Sequence, residues 1–153
     1  MLSVSTAEVG PTDYEDDPLE SAPRLDGIRV LVVDDDADAR DAIVALLEEC
    51  GAEAIPAAGG AEALAALKRS TPHVLVSDIA MPGMDGHRLI RRVRELGPGQ
   101  GGSMPALALT AYAAPADRTR ALLAGYQVYL AKPFDPPELV ALIAKLAGLD
   151  ADA

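Results

Sequence analysis

The chain has 153 residues, half of them apolar, and carries a formal net charge of −11. This length gives room for one domain with a proper hydrophobic core and some additional chain. So acidic a protein is a poor candidate for nonspecific binding to nucleic acid or to an anionic membrane. The single cysteine, Cys50, excludes an internal disulfide, and no apolar run approaches the ~20 residues of a membrane span, so we expect a cytoplasmic protein.

The N-terminal residues 1–26 differ in composition from the rest of the chain. They are small, polar and acidic, so they cannot bury enough apolar surface to order themselves. We predict a disordered acidic leader or linker at 1–26, a folded domain at 27–147 and a C-terminal tail at 148–153. The acids that lie close together in the leader are Asp13, Glu15, Asp16, Asp17 and Glu20.

From residue 28 onward, short apolar runs alternate with segments of helical periodicity. The run Ile28–Val33 predicts a first strand, and the helix that follows should end at Gly51. Glu53–Ala57 predicts a second strand, which Pro56 confines to a sheet edge because proline cannot donate to the ladder. Ala61–Arg69 predicts the second helix.

The third strand, Val74–Ser77, leads into Asp78 and a third helix. The glycine-rich stretch Gly97–Gly102 predicts a flexible surface loop with neither helix nor strand. Pro105–Leu109 predicts a fourth strand, which ends at Thr110. The third helix is expected to turn four side chains inward: Leu89, Ile90, Val93 and Leu96.

Pro115 begins a fourth helix that Gly125 ends, and Val128–Ala131 predicts the fifth strand. The last helix is expected to begin at Asp135, with Glu138 completing a capping box. Its predicted inward face consists of Leu139, Leu142, Ile143 and Leu146.

Several polar side chains are predicted at the surface. The third helix carries four arginines, which are too few to indicate nucleic-acid binding. Neither histidine belongs to a set of metal ligands. The arginines are Arg88, Arg91, Arg92 and Arg94, and the histidines, predicted at the surface or at a strand start, are His73 and His87.

Five alternating βα units predict an α/β fold, with a five-stranded parallel sheet flanked by five helices. With the second strand at an edge, the strand order is 2-1-3-4-5, and its switch point lies between the first and third strands. Asp35 and Asp78 should face each other there, and because carboxylates repel, the pair predicts a hard divalent cation such as Mg²⁺. Lys132 and Thr110, at adjacent strand ends, could contact a phosphoryl group on Asp78.

Four motifs at strand ends resemble those of the receiver domain of two-component response regulators. The resemblance covers roughly residues 27–147 and is closest to receivers of hybrid sensor kinases or single-domain regulators. It implies a flavodoxin-like fold. The motifs are Val32-Val33-Asp34-Asp35, Ser77-Asp78-Ile79-Ala80-Met81-Pro82-Gly83-Met84-Asp85-Gly86, Leu109-Thr110-Ala111 and Tyr129-Leu130-Ala131-Lys132-Pro133.

The resemblance implies a role for each site residue. Asp78 matches the phosphoacceptor, a carboxylate that takes a phosphoryl group from a kinase phosphohistidine. Asp35 matches the direct Mg²⁺ ligand, Asp34 the acid that holds metal-bound water, and Ala80 the residue whose backbone carbonyl reaches the metal. Lys132 matches the lysine that pairs with the phosphoryl group.

The resemblance also implies a switch. Thr110 matches the hydroxyl that moves to bond the phosphoryl oxygen, and Tyr129 matches the aromatic whose ring then turns inward. This change would alter the surface formed by the fourth helix, fifth strand and fifth helix. The family also has a cis peptide bond before Pro133, and residues at the positions of Ala80 and Tyr112 influence the lifetime of the phosphoryl group.

The implied partners are a histidine kinase or histidine phosphotransfer protein and a downstream protein of unknown identity. We expect no direct contact with nucleic acid or membrane, and the switch surface could pair two copies as a homodimer. The only chemistry expected is Mg²⁺-dependent autophosphorylation and autodephosphorylation.

Two other functions stay open. An aspartate-nucleophile phosphohydrolase would need a Thr or Val where Asp38 stands. A receiver-like module that binds partners without phosphorylation is disfavoured by the complete set of acids and lysine. Asp36 is assigned as a helix cap, and a calcium loop is excluded because Ala39 stands where a glycine is needed.

Overall fold

The computed structural model describes residues 22–111 and 114–149. The predicted leader up to residue 21, Tyr112 and the predicted tail from residue 150 lie outside the described residues. No helix within the described part of the chain has the length and apolar character that a membrane span requires.

A sheet of five short parallel strands forms the centre of the molecule. Branched and small apolar residues fill these strands because helices cover both faces of the sheet. The strands are β1 (Arg29–Val33), β2 (Glu53–Ala57), β3 (Val74–Asp78), β4 (Ala106–Thr110) and β5 (Val128–Ala131).

Each strand is followed by an α-helix, which returns the chain to the opposite end of the sheet. Such crossovers keep neighbouring strands parallel. The helices are α1 (Ala37–Glu49), α2 (Gly60–Ser70), α3 (Gly86–Arg94), α4 (Pro115–Ala124) and α5 (Pro136–Leu146).

The strand order is β2-β1-β3-β4-β5, which confirms the predicted topology and fold class. β2 lies at an edge of the sheet, as Pro56 predicts. The predicted ends of the five strands differ from the observed ones by at most one residue. The apolar runs therefore located the strands, whereas their order also depended on Pro56 and on the resemblance.

Alternate residues of β1 enter two different cores, because successive strand side chains point to opposite faces. Val30 and Val32 pack in a cluster with α1 and α5. Leu31 and Val33 pack in a second cluster with α2, α3 and α4. The sheet is thereby covered on both sides, which leaves its edges and the strand ends for polar side chains.

The start of α5 differs from the prediction. Asp135 is the N-cap residue, but its side chain makes no cap hydrogen bond, so the predicted capping box is wrong. Prolines occupy the first two helical positions and have no N–H to donate, and the N–H of Glu138 bonds the backbone carbonyl of Asp135 at 2.9 Å. The buried residues of this helix are Leu139, Val140, Ile143 and Ala144, whereas Leu142 and Leu146 are only partly buried.

The glycine-rich stretch after α3 contains one turn of 3-10 helix, Pro98–Gln100, so the prediction of a loop without helix is wrong. Proline fixes its own φ angle in the helical range. The carbonyl oxygen of Gly97 accepts hydrogen bonds from the N–H groups of Gln100 at 2.8 Å and Gly102 at 3.1 Å. Gly101, with a φ of 99°, ends the turn in the left-handed region.

Packed structure begins before residue 27. Leu25, which the predicted boundary assigns to the leader, is fully buried beneath β1. Its N–H donates to the carbonyl oxygen of Cys50 at 2.7 Å, and its own carbonyl accepts from Ile28 at 3.1 Å. The core therefore includes a residue from the acidic segment.

Candidate functional site

Polar side chains collect at the carboxyl edge of the sheet. Asp34 and Asp35 follow β1, Asp78 is the last residue of β3, and Lys132 follows β5. β1 and β3 are hydrogen-bonded neighbours, and their register aligns the last residue of β1 with the residue before Asp78. Topology alone therefore places the acids of the two strands side by side.

Three carboxylates converge at this edge. Asp34, Asp35 and Asp78 each offer one oxygen, and these oxygens lie within 4.8 Å of one another. Asp34 is buried, Asp78 is partly buried and Asp35 is exposed. The cluster is therefore open to solvent on one side, where an ion or a reactant can enter.

Lys132 places a positive charge against two acids of the cluster. Its Nζ atom lies 3.2 Å from Asp34 Oδ2 and 3.8 Å from Asp78 Oδ1. The peptide bond that follows it, Lys132–Pro133, is cis, as the resemblance implied. The structure thus brings together the four side chains that the sequence placed at three strand ends.

The pKa of Asp78 is raised above its ordinary value. Burial is the main cause, and the nearby carboxylates of Asp34 and Asp35 add to it. The Lys132 ammonium acts in the opposite direction, as does the N–H of Ile79, which donates to Asp78 Oδ1 at 2.9 Å. A single ammonium therefore does not fully compensate the three acids.

This donor set fits a magnesium ion. Mg²⁺ prefers oxygen ligands and is usually held by one or two carboxylates together with water. The three convergent oxygens are of that type, and a divalent cation would offset the repulsion from Asp34 and Asp35, which adds to the effect of burial on the pKa of Asp78.

The residues next to the cluster fix its geometry. The Asp36 N–H donates to Asp34 Oδ1 at 2.9 Å, and Arg40 Nη1 donates to the Asp34 carbonyl at 2.8 Å. Asp36 itself caps α1, because its side chain accepts from the N–H groups of Asp38 and Ala39. The predicted division between Asp36 as a cap and its neighbours as site residues agrees with these contacts.

A cavity of about 590 Å³ lies beside the cluster, and three predicted site residues line it. Ala80 is exposed in the loop after β3, and Thr110 is fully buried at the end of β4. Tyr129 of β5 has a buried hydroxyl oxygen, and burial raises its pKa. Thr110 and Tyr129 thus lie on the same cavity, as their proposed joint movement requires.

His87 is the clearest error of the sequence-based prediction. It was placed at the surface, but it is only 6% exposed and lines the same cavity. Its Nδ1 atom is buried and has no hydrogen-bond partner among the described residues. Burial lowers its pKa, and the positive charge of Arg120 lowers it further. From the sequence alone, a histidine in the first turn of a helix is expected at the surface, because the sequence does not show which other element covers it.

Another surface prediction is wrong for one arginine. Arg94 is partly buried and donates to three backbone carbonyls, those of Gly102, Met104 and Gly125. It therefore ties the end of α3 to the loops before β4 and β5. Arg88, Arg91 and Arg92 are exposed as predicted.

The loop after Asp78 is held by contacts that the motif alone did not reveal. Gly86 donates its N–H to the carbonyl of Ile79 at 2.8 Å, and its own carbonyl accepts from the hydroxyl of Tyr126 at 2.8 Å. A Cβ atom on Gly86 would stand 2.6 Å from the backbone oxygen of Asp78. The close approach of the two chain segments here leaves room for hydrogen alone at position 86, next to the backbone of Asp78.

Comparisons with known proteins agree with this architecture. Residues 30–144 match the family described as response regulator receiver domain. An uncharacterized 14.6 kDa protein of Leptolyngbya boryana is 53% identical over 114 residues, which are 74% of this chain and 86% of that protein. Response regulator Rre1 of Synechocystis is 37% identical over 120 residues, which are 78% of this chain and 51% of that protein.

A solved structure shows the same fold. The receiver domain of sensor histidine kinase PA1611 from Pseudomonas aeruginosa, with a magnesium ion coordinated in its active-site cleft, superposes with a TM-score of 0.73. It is 32% identical, and the match covers 80% of this chain and 98% of that one. The family match, the strand order and the cluster of acids lead to one conclusion: this chain belongs to the response regulator receiver domain family of two-component signalling.

Proposed function

We propose that this receiver domain accepts a phosphoryl group on Asp78, with Mg²⁺, and thereby switches the surface formed by α4, β5 and α5. The observation that carries the proposal is the convergence of Asp34, Asp35, Asp78 and the Lys132 ammonium at one edge of the sheet. This arrangement has a nucleophile, a cation and a place for a metal within contact distance of each other.

The proposed reaction is phosphoryl transfer from a phosphohistidine of a partner protein. A carboxylate oxygen of Asp78 forms a bond to phosphorus while the phosphorus–nitrogen bond to the donor imidazole breaks, and the imidazole leaves. Lys132, already 3.8 Å from Asp78 Oδ1, would pair with the transferred group. The protein contributes mainly position and charge, as in other phosphoryl transfers.

The metal would be held by Asp35 and Asp78, with Asp34 holding a metal-bound water and the backbone carbonyl of Ala80 as a further ligand. When bound, Mg²⁺ neutralises charge on the phosphoryl oxygens. The cluster of carboxylate oxygens supports this assignment, and the PA1611 receiver domain offers a related example with magnesium in its cleft.

The proposed switch uses Thr110 and Tyr129. The Thr110 hydroxyl would donate to a phosphoryl oxygen, and the ring of Tyr129 would fill the space beside it. Both residues line one cavity next to the acids, which supports their coupling. A phosphoryl group can shift the equilibrium between the two conformations of the switch only if it contacts one of them better than the other. A hydrogen bond from the Thr110 hydroxyl would be such a contact.

The partners follow from this chemistry. A histidine kinase or a histidine phosphotransfer protein would donate the phosphoryl group, and a downstream protein or a second copy would read the α4–β5–α5 surface. We also propose that the receiver unit, predicted as residues 27–147 and extended by the buried Leu25, acts in the cytoplasm, with the acidic leader and the tail as flanking segments. The unit would catalyse only its own phosphorylation and dephosphorylation.

The proposal is tested by incubating the protein with Mg²⁺ and a small phosphodonor and measuring its intact mass. We expect one phosphoryl adduct in the wild type and none in Asp78→Asn. The matched control is Asp135→Asn, which changes an exposed acid outside the site and should leave the adduct unchanged. No adduct with any small donor or kinase, or an adduct that persists in Asp78→Asn, would contradict the proposal.

A further inference from the structure

Two buried polar atoms on the cavity beside the acids have no hydrogen-bond partner among the described residues. They are Nδ1 of His87, on α3, and the hydroxyl oxygen of Tyr129, on β5. Buried polar atoms without a partner are uncommon in folded proteins, because such an atom has lost its hydrogen bonds to water. A movement that joined the two atoms would satisfy both of them at once.

The two side chains lie on the same face of the sheet. Tyr129 is paired in register with Ala108 of β4, so both side chains point to one side, and Ala108 belongs to the cluster that α2, α3 and α4 cover. Tyr129 packs against this cluster. His87 is in the first turn of α3, whose buried residues Leu89 and Ile90 belong to the same cluster. No strand therefore separates the imidazole from the tyrosine ring.

The backbone around His87 is anchored. The side chain of Asp85 caps α3, and the carbonyl of Gly86 accepts from the hydroxyl of Tyr126 at 2.8 Å. His87 itself is only 6% exposed. The imidazole is thus the fixed partner of the pair, whereas the ring of Tyr129 is the part that moves in the proposed switch.

The donors on the cavity restrict what can bond the imidazole. Of the side chains that line it, those of Thr110, Arg120 and Tyr129 carry donors. Arg120 is exposed on α4, where its guanidinium is hydrated, and the proposed function assigns the Thr110 hydroxyl to the phosphoryl group. Burial and the charge of Arg120 lower the pKa of His87, which favours the neutral imidazole, and a neutral imidazole has one nitrogen that accepts. The Tyr129 hydroxyl is the remaining side-chain donor.

We propose that His87 positions Tyr129 in the phosphorylated protein, where the Tyr129 hydroxyl donates a hydrogen bond to His87 Nδ1. This inference rests on the proposed function and adds a residue to its switch. His87 acts through Tyr129 and does not contact the phosphoryl group, so it is a positioning residue. A net hydrogen bond shifts the ratio of inward to outward ring conformations by about 2- to 12-fold.

Nitrogen NMR of the full chain with isotope-labelled histidine tests the proposal. Spectra are recorded at about pH 8, where imidazoles are neutral, before and during incubation with Mg²⁺ and a small phosphodonor, and intact mass measures the adduct in the same samples. We expect the Nδ1 resonance of His87 to move upfield on phosphorylation, as that of an imidazole nitrogen does when it accepts a hydrogen bond. His73 is the internal control: its Nδ1 already accepts the N–H of Arg29 at 2.9 Å, at the opposite end of β3 from Asp78, so its resonance should stay unchanged.

Two variants separate the partners of the proposed bond. Tyr129→Phe keeps the ring and removes the hydroxyl, so it should abolish the shift of the His87 resonance while the adduct on Asp78 still forms. In protein with isotope-labelled tyrosine, His87→Leu should reduce the inward-to-outward ratio of the Tyr129 ring by about 2- to 12-fold after phosphorylation. Arg88→Leu is the matched control, since it changes an exposed neighbour on α3, and it should leave that ratio unchanged.

The outcomes distinguish this inference from the proposed function. An adduct on Asp78 with an unmoved Nδ1 resonance of His87, or with a proton on that nitrogen, would overturn the inference alone. The same shift in Tyr129→Phe would also overturn it, because the donor would then be another group. The absence of any adduct would overturn the proposed function, and this inference with it.

Discussion

Asp78 lies where its proposed chemistry requires it, but its partly buried carboxylate lowers the stability of the folded protein when no metal is bound. Burial and two neighbouring carboxylates raise its pKa, and Lys132 offsets these effects only in part. A carboxyl group whose pKa is raised by folding destabilises the folded state at every pH above that pKa, because the charged form is favoured in the unfolded chain. The site is therefore under electrostatic strain at neutral pH.

We predict that Asp78→Asn raises the free energy of unfolding of the metal-free protein at pH 7 by about 1 kcal/mol, the scale of two charges 4 Å apart in water. Urea denaturation in EDTA measures this change. Adding Mg²⁺ should reduce the difference, because the cation stabilises the wild type more than the variant. An Asp78→Asn protein less stable than the wild type in EDTA would contradict this explanation.

His87 makes a second contribution that depends on pH. Burial and Arg120 lower its pKa in the folded state, and Arg91 has the same effect, whereas Asp85 and Asp117 oppose it. The unfolded chain therefore binds a proton more readily, and stability should fall as the pH decreases below the ordinary histidine value of 6.5.

We predict that His87→Leu removes part of the loss of stability between about pH 7.5 and about pH 5.5, because leucine fills the site without a titrating group. Urea denaturation at the two pH values measures the slope. If the variant and the wild type lose the same free energy of unfolding between the two pH values, burial of a neutral His87 does not cause that loss.

At the scale of the elements, the sheet was predictable and the helix ends were less so. The short apolar run Val74–Val76 is rich in branched side chains and is followed closely by a Pro-Gly turn, and this combination is typical of a buried strand. The face of α5 was harder to predict, because a leucine-based pattern placed Leu142 inside, whereas Val140 and Ala144 are the buried residues that the pattern missed. Small side chains allow close approach of helix and sheet, and periodicity alone does not show which residues those are.

The tight junction between β3 and α3 gives a third prediction. Gly86→Ala should lower the free energy of unfolding by about 2 kcal/mol, because its Cβ would meet the backbone of Asp78 and Ile79 at 2.6 and 2.8 Å. Gly59→Ala is the matched control: a Cβ there has no atom within 4 Å, so its cost should stay below about 1 kcal/mol. Equal effects of the two substitutions, measured by urea denaturation, would argue against the steric explanation.

At the scale of the whole molecule, the site could be predicted because the topology determines it. A parallel sheet of order β2-β1-β3-β4-β5 brings the ends of β1 and β3 together, so Asp35 and Asp78 had to be neighbours. The burial of His87 and the packing of Leu25 could not be predicted, because both depend on which helix or loop covers a surface. Sequence periodicity identifies a buried face, but it does not identify the partner that buries it.

Magnesium binding should be visible in the stability of the whole domain. A ligand that binds only the folded state adds about 2.7 kcal/mol at a concentration of 100 times its Kd. We therefore predict that Mg²⁺ raises the Tm of the wild type progressively with concentration, and that Asp35→Asn loses most of this increase. If Asp35→Asn shows the full increase in Tm, Asp35 is not a ligand of the metal.

The central claim concerns a single oxygen-bound phosphoryl group on Asp78. Borohydride reduces an acyl phosphate to an alcohol, so a phosphorylated aspartate becomes homoserine and can be located by peptide mass spectrometry. After treatment with Mg²⁺ and a small phosphodonor, we predict homoserine in place of Asp78 and at no other acid, and none when EDTA replaces Mg²⁺. Homoserine in place of Asp34 or Asp35, with Asp78 unmodified, would contradict the claim.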